Sequence, residues 1–379
     1  MSERGPKPEV TVVIPTRNRA CLLPVAVSAA LAQEDVEVEV VVVDDASTDD
    51  TPKVLAELAD ERLRVVRLRA RHGVARARNI GIAEARAGWL AFLDDDDIWA
   101  PRKLRWQLDA AQGHEDAFVY GAAVVIDEHH AIVRYGKAPE PGKLPRDLLA
   151  WNVIPGGCSN VIARKGLVQR VGGFDERLSH LADRDLWIRL AHSGRAVACP
   201  YVVVAYLLHP GNMRHQREPD GIEELEYLLE KYQPLRRQYG VEAQRKAGYR
   251  YFARAQLKAG NRLKAASIFA RLGVKEHIPS DLGRAIGLLV LGRGRSDPRT
   301  GFKPRAARMP ANEIEWLRMR SAEEIAWLHA LTLEKITSPA TRTATFSPAR
   351  RDGLPLRPNV ASELRGGPTS VTDRKPLVS

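Results

Sequence analysis

Apolar and polar positions alternate in two different periods along the first 130 residues. "VTVVIP", from Val10, is a continuous apolar run stopped by Pro15. "VEVEVVVVDD", from Val36, begins as strict alternation and becomes fully apolar, and "RLRVVRL" and "WLAFLD" supply two more short runs. Runs of this length predict strands, and the loss of alternation predicts strands covered on both faces. Between them, Leu22, Leu23, Ala26, Val27, Ala30 and Leu31 are spaced for a helix over residues 20–33. Thr51-Pro52 opens a second helix, because proline is tolerated in a first turn where its missing N–H has no partner anyway. Repeated strand–helix alternation predicts an α/β fold with a mostly parallel sheet and flanking helices. Ligands bind such sheets beyond the carboxyl ends of the strands. Polar residues gather at three of those ends, in "PTRN", "DDAS" and "DDDD".

Further along, residues 136–160 are rich in glycine and proline and read as loops around a short helix. "LSHLADRDLWIRLAHSG" reads as a helix, and residues 222–273 are helical in composition, with a hairpin turning at Gly260-Asn261. From about residue 338 the chain is rich in Pro, Arg, Ser and Thr without periodicity, which predicts disorder. The expected organisation is an α/β domain over 1–216, a basic helical domain over 217–337 and a disordered tail over 338–379.

Charge divides along the same line. Residues from Arg217 onward hold 30 of the 58 Lys and Arg but only 18 of the 47 Asp and Glu, leaving 28 and 29 for residues 1–216. The whole excess of the net +11 is therefore C-terminal and suits an anionic contact. Three readings compete there. One is a solvated basic appendage. Another is docking on an anionic membrane through "DLGRAIGLLVLGRGR", an apolar stretch flanked by Arg284, Arg293 and Arg295. The third, nucleic-acid binding, is disfavoured by an aromatic content of 6% and the lack of a recognisable motif. The apolar run from Ile286 to Leu291 is too short to span a bilayer, and "MSERGPKPEV" has no apolar signal core. The expected location is cytoplasmic, with peripheral contact at the inner face of the cell membrane as an option. Cys21, Cys158 and Cys199 show neither zinc nor disulfide spacing and are expected to be reduced and structural.

The run Asp94–Asp97 ends an apolar strand with four like charges. A solvated turn would explain it. So would a divalent cation, since hard oxygen ligands suit Mg²⁺ or Mn²⁺, which take their remaining ligands from phosphates and water. Alternate aspartates such as Asp94 and Asp96 need not both ligate.

Five blocks in order carry a resemblance: "VTVVIPTRNRACLLPVAVSAAL", "VVVVDDASTDDT", "HGVARARNIGIAEARAGWLAFLDDDDIWAPRKL", "VGGFDE" and "ADRDLWIRLA". Over roughly residues 8–212 the chain resembles the family 2 glycosyltransferases with the GT-A fold. The resemblance implies that Pro15, Thr16 and Asn18 lie at the nucleotide. It implies that Asp45 accepts from the uracil N3–H, a role that suits an acceptor-only carboxylate, although an Asx-turn or helix cap would also explain Asp45. Arg78 and Asn79 fall in a stretch beside the nucleotide, where Arg78 would steady phosphate or the aspartates, or would simply be an exposed helix arginine. The family's Asp-x-Asp falls on Asp94 and Asp96. Asp96 is the first choice as metal ligand, and Asp94 or Asp95 would contact ribose or phosphate, with the register open by one residue. His209 matches a late histidine that closes on metal or diphosphate; a structural role is the alternative.

Asp183 takes the position of the family's catalytic base. Ala182 stands where the family usually has glutamate, which leaves the acceptor class open, and a helix N-cap is the alternative role for Asp183. The implied reaction is an inverting, Mn²⁺- or Mg²⁺-dependent transfer from a nucleoside-diphosphate sugar, expected to be a UDP-sugar. The acceptor would be a saccharide, a lipid-linked or another hydroxyl. Two other functions compete. A sugar-phosphate nucleotidyltransferase would need a glycine-rich signature that "PTRNRA" lacks, and a non-enzymatic carbohydrate-binding or scaffold protein would need no residue at Asp183.

Overall fold

A computed structural model describes residues 7–127, 131–209 and 221–290 together with Trp327. The described residues belong to one compact unit. The elements run β1 (Val10–Thr16), α1 (Leu23–Leu31), β2 (Val38–Asp44), α2 (Thr51–Glu57), β3 (Leu63–Arg67), α3 (Val74–Glu84), β4 (Trp89–Phe92) and β5 (Ile98–Trp99). There follow α4 (Lys103–Ala110), β6 (Ala117–Ile126), β7 (Ile132–Gly136), α5 (Leu144–Ala150), a short 3₁₀ turn (Gly157–Asn160), β8 (Ile162–Arg164), α6 (Lys165–Arg170), α7 (Ala182–Ser193) and β9 (Arg195–Leu207). Five helices close the described chain: α8 (Ile222–Lys231), α9 (Gln233–Gln238), α10 (Arg245–Lys258), α11 (Arg262–Lys275) and α12 (Pro279–Val290).

The strands form one mixed sheet in the order β3-β2-β1-β4-β8-β6-β9-β5, with β7 on β6. Its longer ladders, β1 with β2 and β6 with β9, are parallel. The parallel half with helices on both faces is the arrangement that the apolar runs predict. Every residue of β1 and β2 is buried, which explains the continuous apolar runs Val12–Pro15 and Val40–Val43. Along β1, Val10, Val12 and Ile14 enter the core under α1 and α4, while Val13 enters the core on the other face with Leu90 and Phe92. A one-residue slip would exchange the two faces, so burial on both sides pins the register. β1 runs past Pro15 to Thr16, where the sequence reading stops it at the proline. The β4 ladder has already ended at Val13–Phe92, so the missing Pro15 N–H breaks no bond on that side.

Three features aim the site. β1 lies between β2 and β4, so the connections leave it in opposite directions and a crevice opens at its carboxyl end. Gly81 lets α3 lie directly on β1, for a Cβ there would meet Val13 Cγ1 at 2.3 Å. β9 pairs antiparallel with β5, Ala205 opposite Ile98, which returns the chain beside the aspartate run. The expected α10–α11 hairpin forms at Gly260 and Asn261, and α8, α10, α11 and α12 share a small core built on Leu225, Phe252, Phe269 and Leu272. Cys158 and Cys199 are buried, but Cys21 is exposed, against the expectation that all three are structural. The tail expected from residue 338, and Arg293 and Arg295, lie outside the described residues.

Candidate active site

Each aspartate of the run has its own setting. Asp94 accepts from the Arg78 guanidinium at 2.5 Å. Arg78 itself is buried and lies 5.2 Å over the Phe174 ring, so it is not an exposed helix arginine. Burial opposes its charge, yet the Asp94 and Asp183 carboxylates hold the guanidinium above its ordinary range. Asp95 accepts from the Thr16 hydroxyl at 2.7 Å and lies 3.6 Å from Arg19. Asp96 lies 2.9 Å from His209 Nε2 and 3.7 Å from Arg19. Asp97, 1% exposed, accepts from the Ser159 hydroxyl at 2.5 Å and from the Leu207 amide. Asp95 and Asp97 are buried and Asp94 and Asp96 half-buried, so the run is more than a solvated turn, and the protein itself supplies a partner to every one of the four.

Ser159 holds this loop: its hydroxyl also accepts from the Asp94 amide, and its carbonyl accepts from Trp99 Nε1 at 2.7 Å. Asp45 takes the amides of His72 and Gly73 at 2.6 and 2.8 Å, where a carboxylate suits the positive end of α3. Gly73 has φ +93°, which a side chain would disfavour. The turn after β2 is held by Asp44, which accepts from the Ser47 amide three residues on. Asn18 pins the same turn by accepting from the Thr48 amide at 2.8 Å.

Burial, and then the neighbouring Asp96 charge, push Asp95 up to about 7, while Thr16 and Arg19 pull the other way. An unfolded aspartate titrates at about 3.9, so between the two values the folded chain binds more protons and stability falls as pH rises, levelling off above the folded value. The ligand-free protein is therefore expected to melt at a higher temperature at pH 6 than at pH 8. Asp95→Asn should flatten that slope in thermal melts; an identical slope in the variant would contradict the assignment.

Asp183 stands in the first turn of α7 and does not cap it, since Leu181 occupies the cap position. Its oxygens accept from Asn152 Nδ2 at 2.8 Å and from the Arg184 amide at 2.6 Å. Burial raises its pKa, opposed by the Arg184 amide, Arg78 and Asn152. Asp183, Arg78 and Asp94 line one cavity of about 680 Å³.

The profile of the family described as "Glycosyl transferase family 2" matches residues 11–172. The succinoglycan biosynthesis protein ExoO of Rhizobium meliloti (strain 1021) is 30% identical over 331 residues, 80% of this chain and 93% of that protein. The chain belongs to glycosyl transferase family 2. A second relative is the UDP-Glc:alpha-D-GlcNAc-diphosphoundecaprenol beta-1,3-glucosyltransferase WfgD of Escherichia coli, 28% identical over 201 residues, 52% of this chain and 77% of that one. Among solved structures, S. aureus TarS 1-349 in complex with UDP-GlcNAc aligns with TM-score 0.50 and 16% identity over 74% of this chain and 80% of that chain. That likeness concerns the fold, and it agrees with the GT-A arrangement.

In this family 2 glycosyltransferase the tertiary structure brings some of the expected residues together and leaves others apart. Thr16, Arg78, Asp94, Asp95, Asp96 and His209 come together at the sheet's carboxyl edge. Asn79 does not. One residue along α3 turns it away, and its amide is spent on the Phe174 backbone at 2.8 and 2.9 Å and on Glu176. Pro15 is buried within β1. Asp94, Asp96 and His209 do not close into one ligand group: Asp94 is drawn to Arg78, and the described residues hold no cluster of three metal-ligating side chains. Asp96 and His209 still fit a hard divalent ion, offering a carboxylate oxygen and an imidazole nitrogen with room for phosphate and water ligands.

Sequence reading misses Arg19, Ser159, Asn152 and Glu224 altogether. The Glu224 carboxylate, from α8, accepts from the amides of Ser179, His180 and Leu181 at 2.9, 2.9 and 3.0 Å. It thereby satisfies the approach to α7 that Asp183 does not cap. Asp185 faces away from the cavity, fully buried, and is held by Lys231 and Tyr232.

Proposed function

We propose that the chain moves a sugar from a nucleoside-diphosphate sugar, most simply a UDP-sugar, to an acceptor hydroxyl with inversion at the anomeric carbon. The observation that carries this reading is a carboxylate with a raised pKa, Asp183, facing the same cavity as the Arg78–Asp94 pair. Asp183 accepts the hydroxyl proton as the oxygen attacks, and its raised pKa makes it a better base than an ordinary aspartate. Arg78 keeps Asp94 in place beside the donor. Asp45 and Asn18 shape the loops that would border the base, and each Asp45 oxygen keeps a lone pair for the uracil N3–H. Asp96 and His209 would hold Mn²⁺ or Mg²⁺. When bound, that ion offsets the negative charge of the departing diphosphate. With the base and the leaving diphosphate on opposite sides of the sugar, configuration inverts.

We assign the catalytic fold to residues 1–216 and the acceptor side in part to the helical segment from 217. The E. coli relative's name states a diphosphoundecaprenol-linked acceptor, which supports a lipid-linked saccharide here. The test is release of nucleoside diphosphate by the full chain from a panel of UDP-, GDP- and dTDP-sugars, with Mn²⁺ and with a chelator. Release from UDP-sugars that the chelator stops is expected; no release from any donor overturns the reading.

No described helix is long and apolar enough to cross a membrane. Leu263 and Val274 on α11, and Ile286 and Leu289 on α12, are 58–74% exposed apolar residues. Eleven and three residues separate the pairs, so each pair shares a helix face. Arg271, Lys275 and Arg284 lie among them in sequence, and this combination suits shallow docking on an anionic bilayer. The full chain is expected to co-sediment with vesicles containing phosphatidylglycerol, less at high salt, and Ile286→Glu with Leu289→Glu should reduce the bound fraction. Equal binding to neutral and anionic vesicles would count against docking.

A further inference from the structure

The cavity beside Asp183 has a second wall that the chemistry above leaves unused. Trp151, after α5, meets Tyr251 of α10 with ring centroids 6.0 Å apart and planes at 78°. Tyr251 in turn packs on Phe252 at 5.2 Å. All three rings line the cavity, and Tyr251 remains 42% exposed at its rim. Between this notch and the base lies Asn152. Its Nδ2 donates to Asp183, while its Oδ1 is buried and has no hydrogen-bond partner. A buried carbonyl oxygen without a partner costs free energy, so it calls for a donor that arrives from the cavity.

We propose that Trp151, Asn152 and Tyr251 form the acceptor subsite, which seats the terminal pyranose of a saccharide acceptor; this rests on the transferase reading above. The aromatic faces take the apolar C–H face of the ring, and a few placed polar groups orient it, as in sites for small polar ligands. One ring hydroxyl donates to Asp183 and becomes the attacking oxygen. Its neighbour donates to Asn152 Oδ1, which fixes the sugar's rotation in the notch. Asn152 thus supplies the second orienting contact at a site where Ala182 offers no carboxylate. Tyr251 comes from α10, so the helical segment takes part in acceptor choice.

The experiment uses the full chain with UDP and Mn²⁺ present. Binding of methyl β-D-glucopyranoside and methyl 2-acetamido-2-deoxy-β-D-glucopyranoside is followed by saturation-transfer NMR, and UDP affinity separately by calorimetry. Saturable binding of at least one glycoside is expected. Trp151→Ala, Tyr251→Ala and Asn152→Ala should each weaken it about tenfold or more, with UDP affinity unchanged. Tyr251 sits at the rim, so its variant tests the notch even if Trp151→Ala unfolds. Glycoside binding that survives in the folded Tyr251 and Asn152 variants, or none by the parent chain, overturns the subsite. A parent that binds a glycoside in the notch but not UDP would overturn the donor reading alone and leave the sugar site standing.

Discussion

Asp183→Asn is expected to lower sugar transfer by roughly 10²–10⁴-fold, the usual worth of a positioned general base, while leaving donor binding and the fold nearly unchanged. The variant keeps the shape of the side chain. Its Oδ1 can still accept from the Arg184 amide, which lies 2.6 Å from Asp183. The Asn152 amide can flip to present its unpartnered Oδ1 to the new NH₂. The α7 start does not depend on Asp183, because Glu224 holds the Ser179, His180 and Leu181 amides. The proton acceptor is lost, and the flip also turns Asn152 Oδ1 away from an acceptor sugar. Measured against UDP affinity by calorimetry and UDP release in the presence of acceptor, the loss should fall on transfer to the acceptor and not on UDP affinity. Near-normal transfer by a folded Asp183→Asn protein would reject the assignment.

Asp96→Ala is expected to remove the part of UDP affinity that Mn²⁺ supplies, a loss of about 10²-fold or more, since outer-shell partners alone are worth 10–100-fold. The reason is position. Of the four aspartates, Asp94 is tied to Arg78, Asp95 to Thr16 and Asp97 to Ser159 and the Leu207 amide, whereas Asp96 stands with His209 and Arg19. Asp97→Ala is the informative control. It leaves a buried hydroxyl and a backbone amide without their acceptor, so it should lower the melting temperature, whereas Asp96→Ala should not. Calorimetry of UDP with and without Mn²⁺ distinguishes them, and an unchanged Mn²⁺ increment in Asp96→Ala would remove that residue from the metal site.

The strands β1 to β4 and helix α1 are legible because each has a strong local period or a continuous apolar run, and α2 because Thr51-Pro52 opens it. β6 and β9 are not. "AFVYGAAVVI" mixes glycine and alanine with larger residues, and β9 carries Pro200 in its middle. Each is held as a strand by pairing with the other across some eighty residues, and such pairing, more than intrinsic preference, decides strand formation. The site divides in the same way. An aspartate run after a buried strand and an aspartate opening a helix are visible as residue types in a pattern. Glu224 looks like any solvated glutamate on an amphipathic helix until α8 is placed against α7. Asn79 looks equivalent to Arg78 until the helical rotation between neighbours sends one to Asp94 and the other to Phe174.

By itself, then, the sequence determined the parallel α/β half, its polar strand ends and the residue types that the proposed chemistry would use, because apolar period and turn residues act over a few positions. The tertiary structure decided which charges meet. Asp96 and His209 lie 113 residues apart, and the β5–β9 ladder brings them within hydrogen-bond distance. It also decided the titration of Asp95 and Asp183, whose largest perturbation is burial. Burial is a property of the packed surroundings, and no local pattern of residues encodes it.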